Sequence, residues 1–425
     1  MNDTSRQGKT QWDSKQAIVE NMNITRQYGC GGMSTFGVEH GFLEGVLRGL
    51  RIGFISSREY TALSTCQTFD DFKLSLGDTD YCQVLQNVNV LNEEIIYQKC
   101  VDKFVSEFEF IRGQACGSLA TFLDFLTYKP MISNISFVIS SLIKKSRTRQ
   151  EFDPAELLAK CDPIGDDPHL KLLMTFENGD AKDDGLVDLY RTVLVETPVA
   201  RYFASYFNRE LSNDTPSGGI GKAYEEEEFE VITERLQKLA LEDFYQYTQE
   251  LGGETAAIMD DVLSWDADSR ALHITLGSFG TPLNDANSRD SDRKSLYCNF
   301  GHFYPNGTWG HQDSETSFSR VSDQEGLATV LERFYPNYYN LWALALDSQG
   351  EKKFTTAMDE YEIKKLKHAF DSQSHFASFY AWFKLKQFEL RNIKWILSCI
   401  TQKVTDPRRK NRWLPIEFSY QNKKN

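Results

Sequence analysis

Residues 376–400 read FASFYAWFKLKQFELRNIKWILSCI, and this stretch decides the fold class. Its apolar side chains recur three and four positions apart, at Phe376, Phe379, Tyr380 and Phe383 and again at Ile393, Ile396, Leu397 and Ile400. That spacing places them on one side of an α-helix. The surrounding residues 351–406 contain no glycine or proline over 56 positions. The sequence therefore predicts at least one long amphipathic helix in this region.

Helical spacing also occurs elsewhere, whereas the alternation typical of strands is scarce. A second helical series is formed by Val101, Phe104, Val105, Phe108 and Ile111. The best strand candidate is short and covers residues 271–276. Residues 212–222, rich in glycine, and 281–293, rich in Asn, Asp and Ser, are typical of loops. We therefore predict a mostly helical chain.

The ends and the middle of the chain differ in organisation. Residues 1–35 contain Gly29-Cys30-Gly31-Gly32 and are expected to form a flexible N-terminal arm, followed by one domain over 36–425. Residues 212–228 are expected to be a flexible acidic insertion. Short segments of acidic and apolar residues recur weakly along the chain, at 68–72, 185–189 and 324–327. Each of them precedes a helical region that contains a pair of aromatic residues. This repeat favours three related helical bundles.

Composition and charge exclude several classes of protein. The 425 residues carry 47 basic and 61 acidic groups, a net charge of −14, which opposes non-specific binding to nucleic acid or anionic lipid. The acidity lies in the middle: residues 151–300 hold 13 basic and 31 acidic groups (−18), whereas 301–425 hold 18 and 14 (+4). An apolar content of 40% indicates a folded chain.

Targeting and redox signals are equally sparse. The eight cysteines are never closer than 16 residues, so no CxxC pair exists and a reducing compartment is expected. The polar N-terminus lacks a signal-peptide core. The longest apolar stretch, 119–143, is interrupted by Asp124, Lys129 and Pro130, so no membrane span is predicted.

The search for catalytic or cofactor sites finds none. Residues 216–223 superficially suggest a phosphate loop, but Pro216 replaces the first glycine, Ala223 replaces the Ser/Thr, and an acidic run follows. His368 and His375 lie seven positions apart, yet no HExxH motif or cysteine completes a metal site. We predict no catalytic residue, cofactor or metal.

Polar residues inside aromatic stretches are the remaining feature of the sequence that could indicate a functional site. Asp124 lies within FLDFLTY, and Arg391 with Asn392 lies within residues 388–395. Buried without partners they would be costly, so they require either internal pairing, a polar surface, or a docking partner. The sequence leaves these alternatives open.

Seven motifs, occurring in order along the chain, carry a resemblance. They are EHGFLEGVLRG (39–49), LATFLDFLTY (119–128), LVETP (194–198), LGGETA (251–256), SFGT (278–281), FYAWFKLK (379–386) and RNIKWI (391–396). The chain resembles subunit d of the V-type proton-pumping ATPases, which is related to the corresponding subunit of archaeal and bacterial A/V-type ATPases. The likeness covers about residues 36–418, and the arm, the 212–228 insertion and the polar run after Thr281 depart from it.

The resemblance implies a non-catalytic, all-α protein of three similar bundles arranged as a funnel. Its expected place is the cytoplasmic face of acidic-organelle membranes, coupling rotation of a central shaft to proton translocation. The implied partners are the proteolipid c-ring, the central rotor shaft subunits and the N-terminal domain of subunit a. Candidate subunit-interface residues are Arg48, Asp124, Tyr128, Arg391 and Asn392.

Two other functions remain open at this stage. One is a soluble helical scaffold unrelated to the pump, which would co-purify with soluble partners. The other is an enzyme whose site forms from dispersed residues, which would turn over a substrate as an isolated chain.

Overall fold

Helices make up all the regular structure in the described part of the chain, which confirms the predicted all-α class. The computed structural model describes residues 33–86, 88, 90–148, 154–168, 197–204, 229–304, 318–346, 351–404, 406 and 412–418. The α-helices are α1 (Met33–Leu50), α2 (Ser57–Thr65), α3 (Phe69–Ser75), α4 (Cys82–Leu85), α5 (Glu93–Gln114), α6 (Gly117–Thr148), α7 (Pro154–Ala159), α8 (Phe229–Leu251), α9 (Gly253–Ser278), α10 (Arg289–Leu296), α11 (Gln324–Phe334), α12 (Pro336–Leu346), α13 (Glu351–Asp371) and α14 (Ala377–Thr401). Short 3-10 turns lie at Arg51–Gly53, Leu76–Asp78, Pro163–Gly165, Pro282–Asn284 and Phe318–Arg320.

Two local predictions are corrected by these helices. The strand candidate 271–276 lies inside α9, where Ala271, Leu272 and Thr275 are buried on one helical side. Six residues are too few to separate a period of 2 from one of 3.6, and the long flanking helix decides the outcome. The expected loop at 281–293 contains the turn Pro282–Asn284 and the start of α10.

Two segments singled out in the sequence lie wholly or largely outside the described residues. Helix α1 begins at Met33, inside the expected arm, and residues 1–32 are not among those described. The 212–228 insertion also lies outside them. Both the arm and the insertion stay predictions.

The helices divide between two compact units. Unit one comprises Met1–Ala120, Tyr245–Val262 and Glu360–Asn425, and unit two comprises Thr121–Phe244 and Leu263–Asp359. Helices α6, α8, α9 and α13 each contribute residues to both units. The three similar bundles and the funnel stay predictions.

Unit one is built on the packing of α5 against α14, the two stretches with the clearest helical spacing in the sequence. Phe104 lies 5.7 Å from Trp382 and 5.3 Å from Phe383, measured between ring centroids. Phe108 meets Phe383 edge to face at 5.2 Å. Aromatic pairs at these separations add to the free energy gained by burial alone. Because these rings are buried, α14 is held firmly along its inner side.

Unit two has an apolar core formed by α6, α8 and the segment 197–204. Seven of its side chains are at most 1% exposed: Ile132, Ile135, Val138, Val199, Phe203, Ile232 and Leu236. Further along the chain, Trp265 stacks on Tyr338 at 5.3 Å. In the described part of the chain no helix is both long and apolar enough to cross a membrane.

Candidate docking surfaces

Arg48, the first predicted interface residue, connects two helices of unit one. It extends from α1 and donates hydrogen bonds to the carbonyl oxygens of Phe370 and Ser372, at the carboxyl end of α13. Its guanidinium also lies 4.9 Å from the Phe370 ring and 3.2 Å from the Glu44 carboxylate. A cation at a helix carboxyl terminus satisfies carbonyls that have no partner within the helix. Arg48 therefore has an internal structural role.

Arg391 and Asn392 are neighbours in sequence, but one is on the exposed side of α14 and the other on its buried side. Asn392 is buried, donates to the Leu414 carbonyl at 2.8 Å and accepts from the Leu414 amide at 3.0 Å. It fastens the segment 412–418 to the helix. Arg391 is exposed, and its guanidinium lies 4.5 Å above the Phe388 ring. Successive residues on a helix are about 100° apart, which explains the separation.

The exposed side of α14 is cationic and aromatic. Arg391 is followed on the same side by Lys394, whose amino group lies 5.1 Å from the Tyr97 ring, and by Trp395, which is 39% exposed. We call Gln387, Arg391, Lys394 and Trp395 the α14 stripe. Contacts between cations and aromatic faces hold long side chains along the helix surface. The chemistry of this stripe suits an acidic partner surface.

A buried ion pair lies on the inner side of the same helix. Lys386 and Glu389 are at most 1% exposed, with the amino group 2.9 Å from the carboxylate. Glu389 also accepts from the Tyr81 hydroxyl at 2.6 Å and the Ile55 amide at 2.7 Å. Burial and the Glu389 charge raise the pKa of Tyr81 well above its usual value. Sequence reasoning missed this pair, although both residues occupy apolar-facing positions in the stretch quoted first.

The remaining predicted residues, Asp124 and Tyr128, lie one helical turn apart on α6 in unit two. Both are half-buried, and the Tyr128 ring is 5.0 Å from Phe125 and 6.2 Å from Tyr202. Arg201 covers the Tyr202 ring at 4.9 Å and donates to its hydroxyl at 2.8 Å. Burial raises the pKa of Tyr202, so its hydroxyl stays protonated at neutral pH. Tyr128 therefore borders a cation–aromatic cluster, and Asp124 lies one turn before it on the same helix.

Helix α1 exposes an apolar surface that sequence reasoning also missed. Its inner side carries Phe36, Leu43 and Leu47, all 5% exposed or less. On the other side Val38 is 88% and Phe42 69% exposed, and the following turn adds Ile52 at 85%. The available signal was the sequence EHGFLEGVLRG itself, in which glycines recur every four residues.

Histidine and cysteine side chains of the described residues form no metal site. They contain no group of three His, Cys, Asp or Glu side chains able to hold a metal ion. His368 is exposed, whereas His375 is fully buried and its pKa is lowered to about 4, chiefly by desolvation. Burial raises the pKa of Cys100 and Cys298 to about 12, which makes both thiols poor nucleophiles.

The comparison with known proteins identifies the family. The sequence model of the family described as "ATP synthase (C/AC39) subunit" matches residues 43–412, most of the chain. The chain belongs to this family. V-type proton ATPase subunit d1 of Arabidopsis thaliana is 35% identical over 87% of this chain and 94% of its own length. The subunit d proteins of Dictyostelium discoideum and Saccharomyces cerevisiae are 34% and 33% identical, over 91% and 86% of this chain and 97% and 95% of their own lengths.

The resemblance noted in the sequence is thus confirmed, and the family match bears on the surfaces described above. All five predicted interface residues lie within the matched range, whereas Val38 and Phe42 precede it. Arg48, Arg391 and Asn392 belong to unit one, and Asp124 and Tyr128 belong to unit two. Within each unit the candidates for external contact are the α14 stripe, the exposed side of α1, and the cluster around Tyr128.

Proposed function

We propose that this chain is a non-catalytic subunit of the membrane sector of a V-type proton-pumping ATPase. In this proposal it lies on the cytoplasmic face of the proteolipid ring, in acidic-organelle membranes, and couples rotation of the central shaft to proton translocation. The carrying observation is similarity over 86–91% of the chain to proteins named V-type proton ATPase subunit d.

The chemistry of unit one supports two different partners. An adaptor that couples the ring to the shaft must bind both at once, so it needs separate surfaces that do not compete. Unit one offers exposed apolar side chains on α1 and a cationic, aromatic stripe on α14. Complementary charge gives specificity, so surfaces of such different character select different partners. The N-terminal domain of subunit a is proposed as a further partner.

Rigid connections beneath these surfaces also suit transmission of torque. The Lys386–Glu389 pair and the Asn392–Leu414 bonds hold α14 from within, while Arg48 holds α1 to α13. Buried hydrogen bonds are directional, so they favour one arrangement of the helices that they join.

Co-purification tests the proposal directly. The full chain would be tagged in its own organism, membranes extracted with mild detergent, and the captured chains identified. We expect the proteolipid and shaft subunits of the pump. Capture of soluble partners alone, without any proteolipid, would refute the proposal and favour a soluble scaffold.

A further inference from the structure

The exposed side of α1 has an uncharged centre, with the exposed Glu39 at its edge. At 100° per residue, positions 38, 42, 45 and 49 fall within about 60° of one another. These positions are Val38, Phe42, Gly45 and Gly49, and Ile52 continues the surface into the next turn. We call these five residues the outer face of α1. A side of a helix that faces solvent normally carries charged and polar residues, so an uncharged one marks an interaction site.

Nothing in the described part of the chain requires glycine at these positions of α1. A Cβ built at Gly37, Gly41, Gly45 or Gly49 would meet no heavy atom of a neighbouring described segment within 4 Å. None of the four is recorded with a positive φ. Glycine inside a helix lowers its stability relative to alanine. What glycine does allow is close approach of another backbone.

Three charged residues near this face are engaged inside unit one. Glu44 accepts from the Ser374 amide at 3.1 Å, Arg51 lies 3.4 Å from Asp371, and Arg48 is bound to the end of α13. A fourth, Glu39, has a side chain that is 57% exposed and lies at the edge of the outer face, with its carboxylate 3.7 Å from the His40 ring nitrogen. The five residues of the outer face itself carry no charge, so its complement is an uncharged apolar surface.

This chemistry decides between the two partners of the proposed function, on which the following inference rests. A soluble shaft presents charged side chains to water, whereas a ring of membrane-spanning helices carries apolar residues up to the ends of its spans. We infer that the outer face of α1 docks against an uncharged apolar surface of the proteolipid ring, with the partner backbone lying close to Gly45 and Gly49. The α14 stripe is then left for an acidic surface of a soluble partner.

Gly45→Leu provides the sharpest test, because the new side chain has open space in the isolated chain but would obstruct a closely packed partner. It is paired with Phe42→Glu, which places a charge on the face. Leu74→Glu is the matched control, since Leu74 is 77% exposed on α3. The probe is the detergent-solubilised proteolipid ring, and the measured quantities are the Kd of each full-length chain and its melting temperature.

We expect Gly45→Leu and Phe42→Glu to weaken ring binding at least tenfold, Leu74→Glu to bind as wild type does, and Gly45→Leu to melt no lower than wild type. Equal binding by wild type and both variants overturns the inference while leaving the proposed function intact. Loss of binding by Leu74→Glu as well overturns it too. A wild-type chain that fails to bind the ring overturns both proposals.

Two other occupants of the face have distinct signatures. If a second copy of this chain covers it, sedimentation shows a dimer that both variants abolish. If residues 1–32 of this chain cover it, both variants lower the melting temperature while ring binding is unchanged. Either outcome overturns the inference.

Discussion

Replacing Glu389 with glutamine should strongly destabilise unit one. The carboxylate is fully buried and serves three donors, at 2.6 Å from the Tyr81 hydroxyl, 2.7 Å from the Ile55 amide and 2.9 Å from the Lys386 amino group. Glutamine preserves the size but removes the charge, and its amide offers one acceptor oxygen in place of two. Lys386 is then a buried cation without a counter-charge, at a cost of about 3–5 kcal/mol.

Replacing Lys386, the other member of the pair, should lower the free energy of unfolding by less. Lys386→Met leaves Glu389 as a buried anion without its counter-charge but with two uncharged donors, so we expect a cost near the lower end of the same range of about 3–5 kcal/mol. The double variant removes both charges and should be more stable than the sum of the single effects by about 0.5–3 kcal/mol. This ordering follows from the number of donors that each partner retains.

Thermal unfolding of the full chain, followed by circular dichroism, measures the effect. Unit one has about 200 residues, and at about 2.1 cal/mol/K per residue a loss of 3–5 kcal/mol lowers its midpoint by about 7–12 °C. Asp102→Asn is the matched control, because Lys99 and Asp102 form a pair of the same i, i+3 spacing that is 45% exposed on both sides. Strictly additive single and double effects, or a Glu389→Gln midpoint equal to the control, would refute the reasoning.

Three further predictions concern docking, pH and the insertion. Arg391→Glu should leave a folded chain and should reduce proton pumping more than ATP hydrolysis, both measured on the same vesicles. Lys364→Glu is the control, because Lys364 is also exposed. Equal loss of both activities would indicate failed assembly instead. Because the His375 pKa falls from 6.5 to about 4 on folding, its contribution of about 3 kcal/mol is present above pH 6.5 and lost as the pH falls towards 4. His375→Met should flatten the pH dependence of the unfolding free energy over that window, and an unchanged slope would contradict the assignment. Deletion of residues 212–228 should leave the fold intact, since long surface loops are tolerated; an aggregated variant would show that they pack.

Helix type was predictable wherever one periodic pattern extended over many turns. The series from Phe376 to Ile400 identified α14, and the series from Val101 to Ile111 identified α5, because each repeats the 3.6-residue period several times. The 271–276 stretch was misassigned because six residues fit both periods, whereas the 26-residue helix α9 that contains them continues through both of its flanks. A window of fewer than two turns therefore cannot be assigned apart from the sequence around it.

The candidate docking surfaces were harder to predict from the sequence than the helices were. A residue contributes to a surface according to the side of the helix on which it lies, and a motif does not give that side. Arg391 and Asn392 were predicted as one feature, yet one is exposed and the other is bonded to Leu414. Lys386 and Glu389 are polar residues whose burial is visible only once Tyr81 and Ile55, some 300 residues away in sequence, are brought against them. Such partners cannot be assigned from a single sequence without the fold.

The buried polar groups of unit two follow the same principle and bear on the proposed transmission of torque. Arg293 is fully buried and bonded to the Val321 carbonyl at 2.5 Å and the Ser278 hydroxyl at 2.6 Å. Asp268, equally buried, accepts from the Phe303 amide at 3.0 Å and from the Tyr338 hydroxyl. Apolar contacts have no preferred direction, so they resist sliding weakly, whereas a buried charge loses its partners after a displacement of about 1 Å. A chain that must transmit torque between partners therefore gains from placing directional bonds inside each unit, at the cost of desolvating charges that apolar residues would avoid.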